Sequence, residues 1–223
     1  SGYCSRAVTV DMKLGDLYPA AKTVSHSAIV EPLQFGALLR SIWGYRGQPA
    51  AVAALQLAPL AFVRPGELRH AEWSEIDLDA AIWEIPASKM KMGVPHIVPL
   101  ATQAIQILLK IKPLTGHGRY VFPSSRGQGR PMSENTVNAA LRGLGYGSDV
   151  HVGHGFRASA RTILDELLKQ DVRFIEMQLA HAVKDANGTA YNRTSFLPER
   201  AAMMQMWADY CDQLRDGGQV LPI

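Results

Sequence analysis

Ala81-Ile-Trp-Glu-Ile-Pro-Ala-Ser-Lys-Met-Lys-Met-Gly-Val-Pro-His-Ile-Val-Pro-Leu100 carries the clearest strand pattern in the chain. Ala81 to Ile85 alternates apolar and polar side chains, and Pro86, which has no amide proton for a ladder, ends it. His96 to Leu100 forms a second short apolar strand. The polar connection between them holds Lys89 and Lys91, so the pair reads as an antiparallel hairpin with an exposed, basic tip.

The segments on either side of this hairpin follow the helical period. Leu38, Leu39, Ile42 and Trp43 fall on one face of a helix expected from Ala28 to about Tyr45, with Gly47 as its stop. Pro49 opens an Ala/Leu-rich helix to about Val63 that is apolar nearly all round and therefore belongs at the centre of the core. Downstream, Thr102 to Lys112 is amphipathic, Tyr120-Val-Phe is a short extended piece, and Ser124 to Arg130 is expected to be a Gly/Ser/Arg loop. Ser133 is placed as the N-cap of a helix through Leu144, closed by Gly143, Gly145 and Gly147. Further helices are expected at about His154 to Lys169, Arg173 to Ala180 and Pro198 to Leu214. The fold class is mainly α with a small antiparallel β-sheet.

With 223 residues, 47% hydrophobic and 19% charged, the chain can bury a core, which excludes disorder as the main state and favours one large domain over two. We expect a linker or docking tail over residues 1–27, a domain over 28–214 and a C-terminal tail over 215–223. The start at Ser1 suggests a piece of a longer protein. Cys4 and Cys211 stand far apart with no CxxC pair, which argues against a disulfide framework or a zinc ribbon and suits a reducing, cytoplasmic setting. No apolar run reaches the ~18 residues of a membrane span, and no signal-peptide pattern opens the chain. Net charge is +3, with a pI near 8.9. Residues 85–164 hold ten Lys/Arg against two Asp/Glu, a basic block fit for an anionic partner.

Four constellations carry chemistry. Arg64-Pro-Gly-Glu67 puts a guanidinium at a rigid helix end with a carboxylate three residues on to hold it. His154-Gly-Phe-Arg157 places an imidazole and a guanidinium on one face of a helix start, where free N–H groups favour an anion. Gln178-Leu-Ala-His181 is followed ten residues later by Tyr191 in Ala190-Tyr-Asn-Arg193. The hairpin supplies a lysine. Taken singly, each has a structural explanation: a surface ion pair, a capping histidine, a core histidine, a packed tyrosine. Arg161, one turn beyond Arg157, reads as structural or as a backbone contact, and Tyr210 as packing beside Trp207.

Their order along the chain resembles that of the tyrosine recombinases, the phage-integrase family, and most closely the integrases of temperate phages and genomic islands. The matching stretches are Phe62-Val-Arg-Pro-Gly-Glu-Leu, Trp73-Ser-Glu-Ile-Asp, Lys89 to Leu100, His154-Gly-Phe-Arg-Ala, Gln178-Leu-Ala-His181, Ala190-Tyr-Asn-Arg and Met203-Met-Gln-Met-Trp-Ala-Asp-Tyr210. Together they span roughly residues 30 to 214. The resemblance implies the tyrosine recombinase catalytic-domain fold and a site-specific recombinase for integration or excision of a prophage or genomic island, cutting and rejoining DNA through a 3′-phosphotyrosyl link. In that scheme Tyr191 is the nucleophile, Arg64 and Arg157 hold the phosphate, His154 is the base, and His181 hydrogen-bonds the phosphate or buttresses the pocket. Counting back from Pro99 makes Lys91 the general acid, with Lys89 the alternative. Glu67 supports Arg64, and His96 is structural or a phosphate contact. The spacing from His181 to Tyr191 is one residue longer than in many members.

The same resemblance implies double-stranded attachment sites as the substrate, a homo-tetramer on DNA, accessory DNA-bending and excision-directing proteins, and a missing N-terminal DNA-binding half. It implies no cofactor, metal or ATP. The competing readings are a catalytically degenerate DNA-binding module and a type IB topoisomerase.

Overall fold

The computed structural model describes residues 26–181 and 196–217; Cys4 and Tyr191 lie outside them. Eight α-helices, a three-stranded antiparallel sheet and a two-stranded hairpin make up the described residues. Helix α1 (Pro32–Gly44) has its first proline in the opening turn and is capped by the Glu31 carboxylate, which accepts from Gln34 N at 3.0 Å. It buries Phe35, Leu38, Leu39 and Ile42, an i, i+3, i+4, i+7 stripe. Each such side chain contributes about 1.5–3 kcal/mol on leaving water.

The core is organised around α2 (Pro49–Ala61), whose last nine residues, apart from Gln56, are all buried. It touches α1, α3 (Pro65–Arg69), α4 (Thr102–Thr115), α5 (Thr136–Gly143), α6 (Gly155–Glu166) and α8 (Leu197–Arg215). This is the all-round apolar helix that the sequence placed at the centre. Pro59 sits inside it, and the Pro59 carbonyl accepts the indole proton of Trp207 in α8 at 2.8 Å. Helices α1 and α8 approach closely, since a Cβ on Gly36 would lie 2.6 Å from Leu214 O. Tyr210 is buried in α8 beside Trp207, as expected of packing.

The hairpin is present as β2 (Ile82–Ile85) and β3 (His96–Pro99), in a register pairing Trp83 with Val98 and Ile85 with His96. A third strand, β1 (Ile76–Asp77), extends it on the β2 side; two residues are too short for a period to betray.

Several boundaries differ from expectation. Residues 28–31 run extended ahead of α1, tied to the body by Ile29 N donating to His151 Nδ1 at 3.0 Å and by Ser159 Oγ donating to Ile29 O at 2.6 Å. Helix α4 continues through Pro113 to Thr115. The expected loop at Ser124 to Arg130 is instead a hairpin, β4 (Pro123–Ser124) with β5 (Gly127–Pro131), turned by Gly127 at φ 138°, a value that glycine alone tolerates well. Ser133 opens a turn, accepting Asn135 N on its hydroxyl, and α5 begins three residues later at Thr136. Helix α6 ends at Glu166, and α7 covers Val172–Gln178 with Asp171 as its cap.

Candidate active site

Arg64 is the N-cap of α3, directly after α2 ends in a left-handed turn at Phe62, φ 36°. The Glu67 carboxylate accepts from Arg64 N and from Arg64 Nη1, both at 2.8 Å, so main chain and guanidinium are fixed by one buried carboxylate. Glu67 therefore does what its spacing suggested.

Arg157 lies in the first turn of α6 and is 5% exposed. Its Nη1 donates to Phe62 O at 2.9 Å, and its Nη2 donates to Leu179 O at 2.7 Å. The carbonyl beside Arg64 thus also positions Arg157. Burial brings its pKa down to about 10, with Arg64 acting in the same direction and Glu67 and Glu176 opposing; the group stays charged at neutral pH. Arg64 is near enough for its charge to weigh on Arg157, a repulsion that an anion between them would relieve.

His154 is the N-cap of α6, with its ring 4.3 Å from that of His26. Burial, followed by the charges of His26, Arg157, Arg64 and His181, takes its pKa to about 4, so at neutral pH it is a proton acceptor. His181 follows the end of α7 past Ala180 at φ 52°; its Nδ1 meets Glu176 Oε2 at 2.5 Å and its Nε2 meets Arg157 Nη2 at 3.3 Å. Arg64, His154, Arg157 and His181 therefore form one cluster.

Arg64 also lines an open groove with Glu67, His70, Lys89, Lys91 and Arg119. The two hairpin lysines have different surroundings. Lys89 is not part of an exposed tip: its amine is ion-paired with Glu72 at 2.6 Å and with Glu75, and donates to His70 O at 2.8 Å. Lys91 is exposed on the same groove, with no acidic partner among the described residues. His96 is buried in β3 with its Nε2 3.0 Å from Gln178 O, a contact that fits the structural one of its two expected roles. Arg161 pairs with Glu176 at 2.8 Å, also a structural role.

Four participants were not picked out from the sequence. His26 packs its ring, tilted, against His154 from a segment without any period. Glu176 bonds His181, and the only available signal was its place five residues ahead on a helix. Glu72 and Glu75 neutralise Lys89 from an acidic run preceding the hairpin.

Among the described residues no helix is long and apolar enough to cross a membrane. The phage integrase family model matches residues 48–196. The integrase of Enterobacteria phage P4 is 40% identical over 205 residues, covering 86% of this chain and 47% of that protein. Among solved structures, the integrase from mycobacterium phage Brujita superposes with a TM-score of 0.61 at 16% identity, over 88% of this chain and 65% of that one. A lambda integrase tetramer bound to a Holliday junction superposes at 0.55 and 21% identity, over 81% and 53%. These two likenesses establish the tyrosine recombinase catalytic fold. The chain spans about half the length of the curated relatives it matches. A family match reaching from the start of α2 to the residue before α8, over the helices and hairpin that carry Arg64, Lys91, Arg157 and His181, means that the chain belongs to the phage integrase family.

Proposed function

We propose that this chain is the catalytic part of a site-specific DNA recombinase that breaks and rejoins strands through a tyrosyl phosphodiester. The observation that carries the reading is the convergence of two guanidiniums from separate helix starts, Arg64 and Arg157, beside the neutral ring of His154. Attack on a phosphodiester adds charge to the non-bridging oxygens, and paired guanidiniums already fixed by Glu67, Phe62 O and Leu179 O stabilise that charge without reorganising.

Tyr191, outside the described residues, is the nucleophile. Its hydroxyl oxygen attacks phosphorus, its proton passes to His154, and the bond from phosphorus to the 5′ oxygen breaks. That oxygen takes a proton from a lysine and leaves as a hydroxyl. Approach of the anionic phosphate raises the basicity of His154 from its phosphate-free value. Lys91 is the general acid, because Lys89 already has its amine committed to two carboxylates. The phosphotyrosyl link conserves the energy of the broken bond, so religation needs neither ATP nor a metal.

The substrate is double-stranded DNA carrying an attachment site, within the bacterial cytoplasm, for integration or excision of a prophage or genomic island. Assembly as a tetramer on DNA, the arrangement seen for lambda integrase on a Holliday junction, fits this reading, with accessory DNA-bending and excision-directing proteins as further partners.

The test uses a duplex nicked near the cleavage point, so that a short leaving strand diffuses away and the covalent adduct accumulates. An adduct is expected, absent in Tyr191→Phe. Lys91→Ala should lose the reaction on an ordinary phosphodiester and regain it with a 5′-bridging phosphorothiolate, whose thiolate leaves without protonation. Absence of any adduct from the full-length protein would favour a degenerate DNA-binding module. Relaxation of plasmids that lack an attachment site would favour a topoisomerase.

A further inference from the structure

Glu176 joins the two helices that carry the phosphate-facing side chains. Its Oε1 accepts from Arg161 Nε of α6 at 2.8 Å, and its Oε2 stands 2.5 Å from Nδ1 of His181. The main chain repeats the link, with His181 N donating to Glu176 O at 2.9 Å around the left-handed Ala180, the six-to-one closure of a helix C-terminus. Burial alone would raise the Glu176 pKa, but the hydrogen bonds from His181 and Arg161 overcome it and hold the carboxyl below its ordinary value.

The protonation pattern of His181 follows from what its neighbours can do. A carboxylate offers only lone pairs, so the contact to Glu176 requires a proton on Nδ1. A guanidinium offers only N–H groups, so the approach of Arg157 Nη2 requires a lone pair on Nε2. One tautomer meets both conditions. The other would set lone pair against carboxylate and N–H against N–H.

We propose that Glu176, clamped by Arg161, is a positioning residue of the active site: it holds His181 in the Nδ1–H tautomer so that Nε2 accepts from Arg157 and aims its guanidinium. The inference rests on the reading of Arg157 as a phosphate ligand. Arg157 spends three of its five donors on Phe62 O, Leu179 O and His181, which leaves Nε–H and one Nη1 proton for a phosphate oxygen. Of the three acceptors only His181 depends on a proton being in the right place. Glu176 thereby decides whether this guanidinium is held or repelled.

Two measurements test it. Long-range proton–nitrogen NMR of the chain labelled at histidine nitrogens reads the tautomer of His181, assigned by its loss in His181→Asn. Cleavage rates on the nicked duplex read the consequence. The wild type should show Nδ1–H, and Glu176→Gln, whose one amide oxygen can accept from His181 only with its NH₂ turned toward Arg161 Nε–H, should hold that tautomer less fully and slow cleavage less than Glu176→Met. Glu176→Met should convert the ring to Nε2–H or a mixture and slow cleavage roughly 10- to 100-fold, the equivalent of one charge-assisted hydrogen bond. In an Arg157→Lys background the same change should cost nothing further, since the effect passes through Arg157. Glu176→Asp, with the charge on a shorter arm, should follow the methionine variant and replaces it where that variant does not fold. An unchanged Nδ1–H tautomer in both variants, or an equal rate loss in the Arg157→Lys background, would overturn the proposal. A wild-type protein that forms no adduct defeats the recombinase reading instead, and the tautomer comparison still judges the link between Glu176 and His181.

Discussion

Mild acid should loosen the segment that leads into α1, because His151 holds it through a lone pair. His151 is 1% exposed, its Nδ1 accepts from Ile29 N at 3.0 Å, and its ring packs 4.5 Å from Phe156. Its Nε2 is buried without a hydrogen-bond partner among the described residues. Burial lowers its pKa to about 4 from the ordinary 6.5. The folded value lies below the unfolded one, so between pH 6.5 and 4 the unfolded chain binds a proton that the folded chain refuses. The stabilisation is complete above that window and is lost as pH falls through it. Between pH 7 and pH 4.5 the loss is on the order of 2–3 kcal/mol. His154 titrates in the same direction, and its partial exposure reduces its share to about 1 kcal/mol. Glu72, held near 2 chiefly by its hydrogen bond from Arg119, acts below this range. In His151→Asn the Oδ1 atom replaces Nδ1 as the acceptor and does not titrate. Urea unfolding followed by tryptophan fluorescence at the two pH values should show the wild-type midpoint falling by about 1 M more than the variant's, taking a slope of about 2 kcal/mol per molar. Equal pH dependence in the two proteins would refute the assignment.

Three further changes have expected outcomes. Glu67→Ala removes the acceptor from Arg64 N and from its guanidinium and should cost about 2–4 kcal/mol by chemical denaturation, while Glu67→Gln, which keeps one acceptor oxygen, should cost about half as much. Lys89→Met leaves Glu72 and Glu75 without their shared cation and should lower the urea midpoint, whereas Lys91→Ala should leave it unchanged within about 0.5 kcal/mol and affect cleavage alone. Gly155→Ala would bring a Cβ within 2.4 Å of Ser27 O and 3.2 Å of Ala28 Cα; displacement of that segment should cost about 1–3 kcal/mol, read as a fall in Tm, and should shift the His154 ring resonances through loss of its contact with His26.

The helices and the first hairpin were legible because their burial is periodic. The Phe35, Leu38, Leu39, Ile42 stripe and the alternation at Ile82 to Ile85 are local patterns with one physical reading each. The second hairpin was missed because Pro123–Ser124 and Gly127–Pro131 carry no apolar alternation; its pairing depends on a glycine turn and on Met132 N reaching Phe122 O. The first turns of α5 and α1 were placed too early, since Ser133 and Ala28 satisfy local preferences that turn geometry and the tether to His151 override. In the site, the residue types could be read from motif order, and the association of Arg64 with Glu67 from a three-residue spacing. The partners of Lys89 and the clamp from Arg161 to Glu176 span 14 to 17 residues and 15 residues of chain, and ion pairs at such separations leave no period to detect.

Charge shows most plainly how the fold rewrites the linear reading. Residues 65–84 carry six acidic side chains and one basic, directly ahead of the basic block at 85–164. In the folded chain part of the first stretch is laid against the second: Glu72 and Glu75 take Lys89, and Glu72 also takes Arg119 at 2.8 Å. The positive surface is therefore smaller than the count along the chain implies. Among the described residues of the basic block Lys91, Lys110, Lys112, Arg126, Arg130 and Arg142 keep exposed side chains with no acidic partner, while Arg157 is withdrawn among carbonyls. On the proposed reading, the guanidiniums of Arg64 and Arg157, fixed by Glu67 and by carbonyls, serve to hold one phosphate. Long-range attraction to the rest of a duplex would then fall to the exposed cations, among them Arg126 and Arg130 of the β4–β5 hairpin. Neutralising Arg126 and Arg130 together should weaken DNA binding uniformly across sequences and reduce its salt dependence by about two counterions, measured by titration of a fluorescent duplex at several salt concentrations, while adduct formation at saturating DNA stays unchanged. A loss of cleavage at saturation would mean instead that the β4–β5 hairpin takes part in the chemistry.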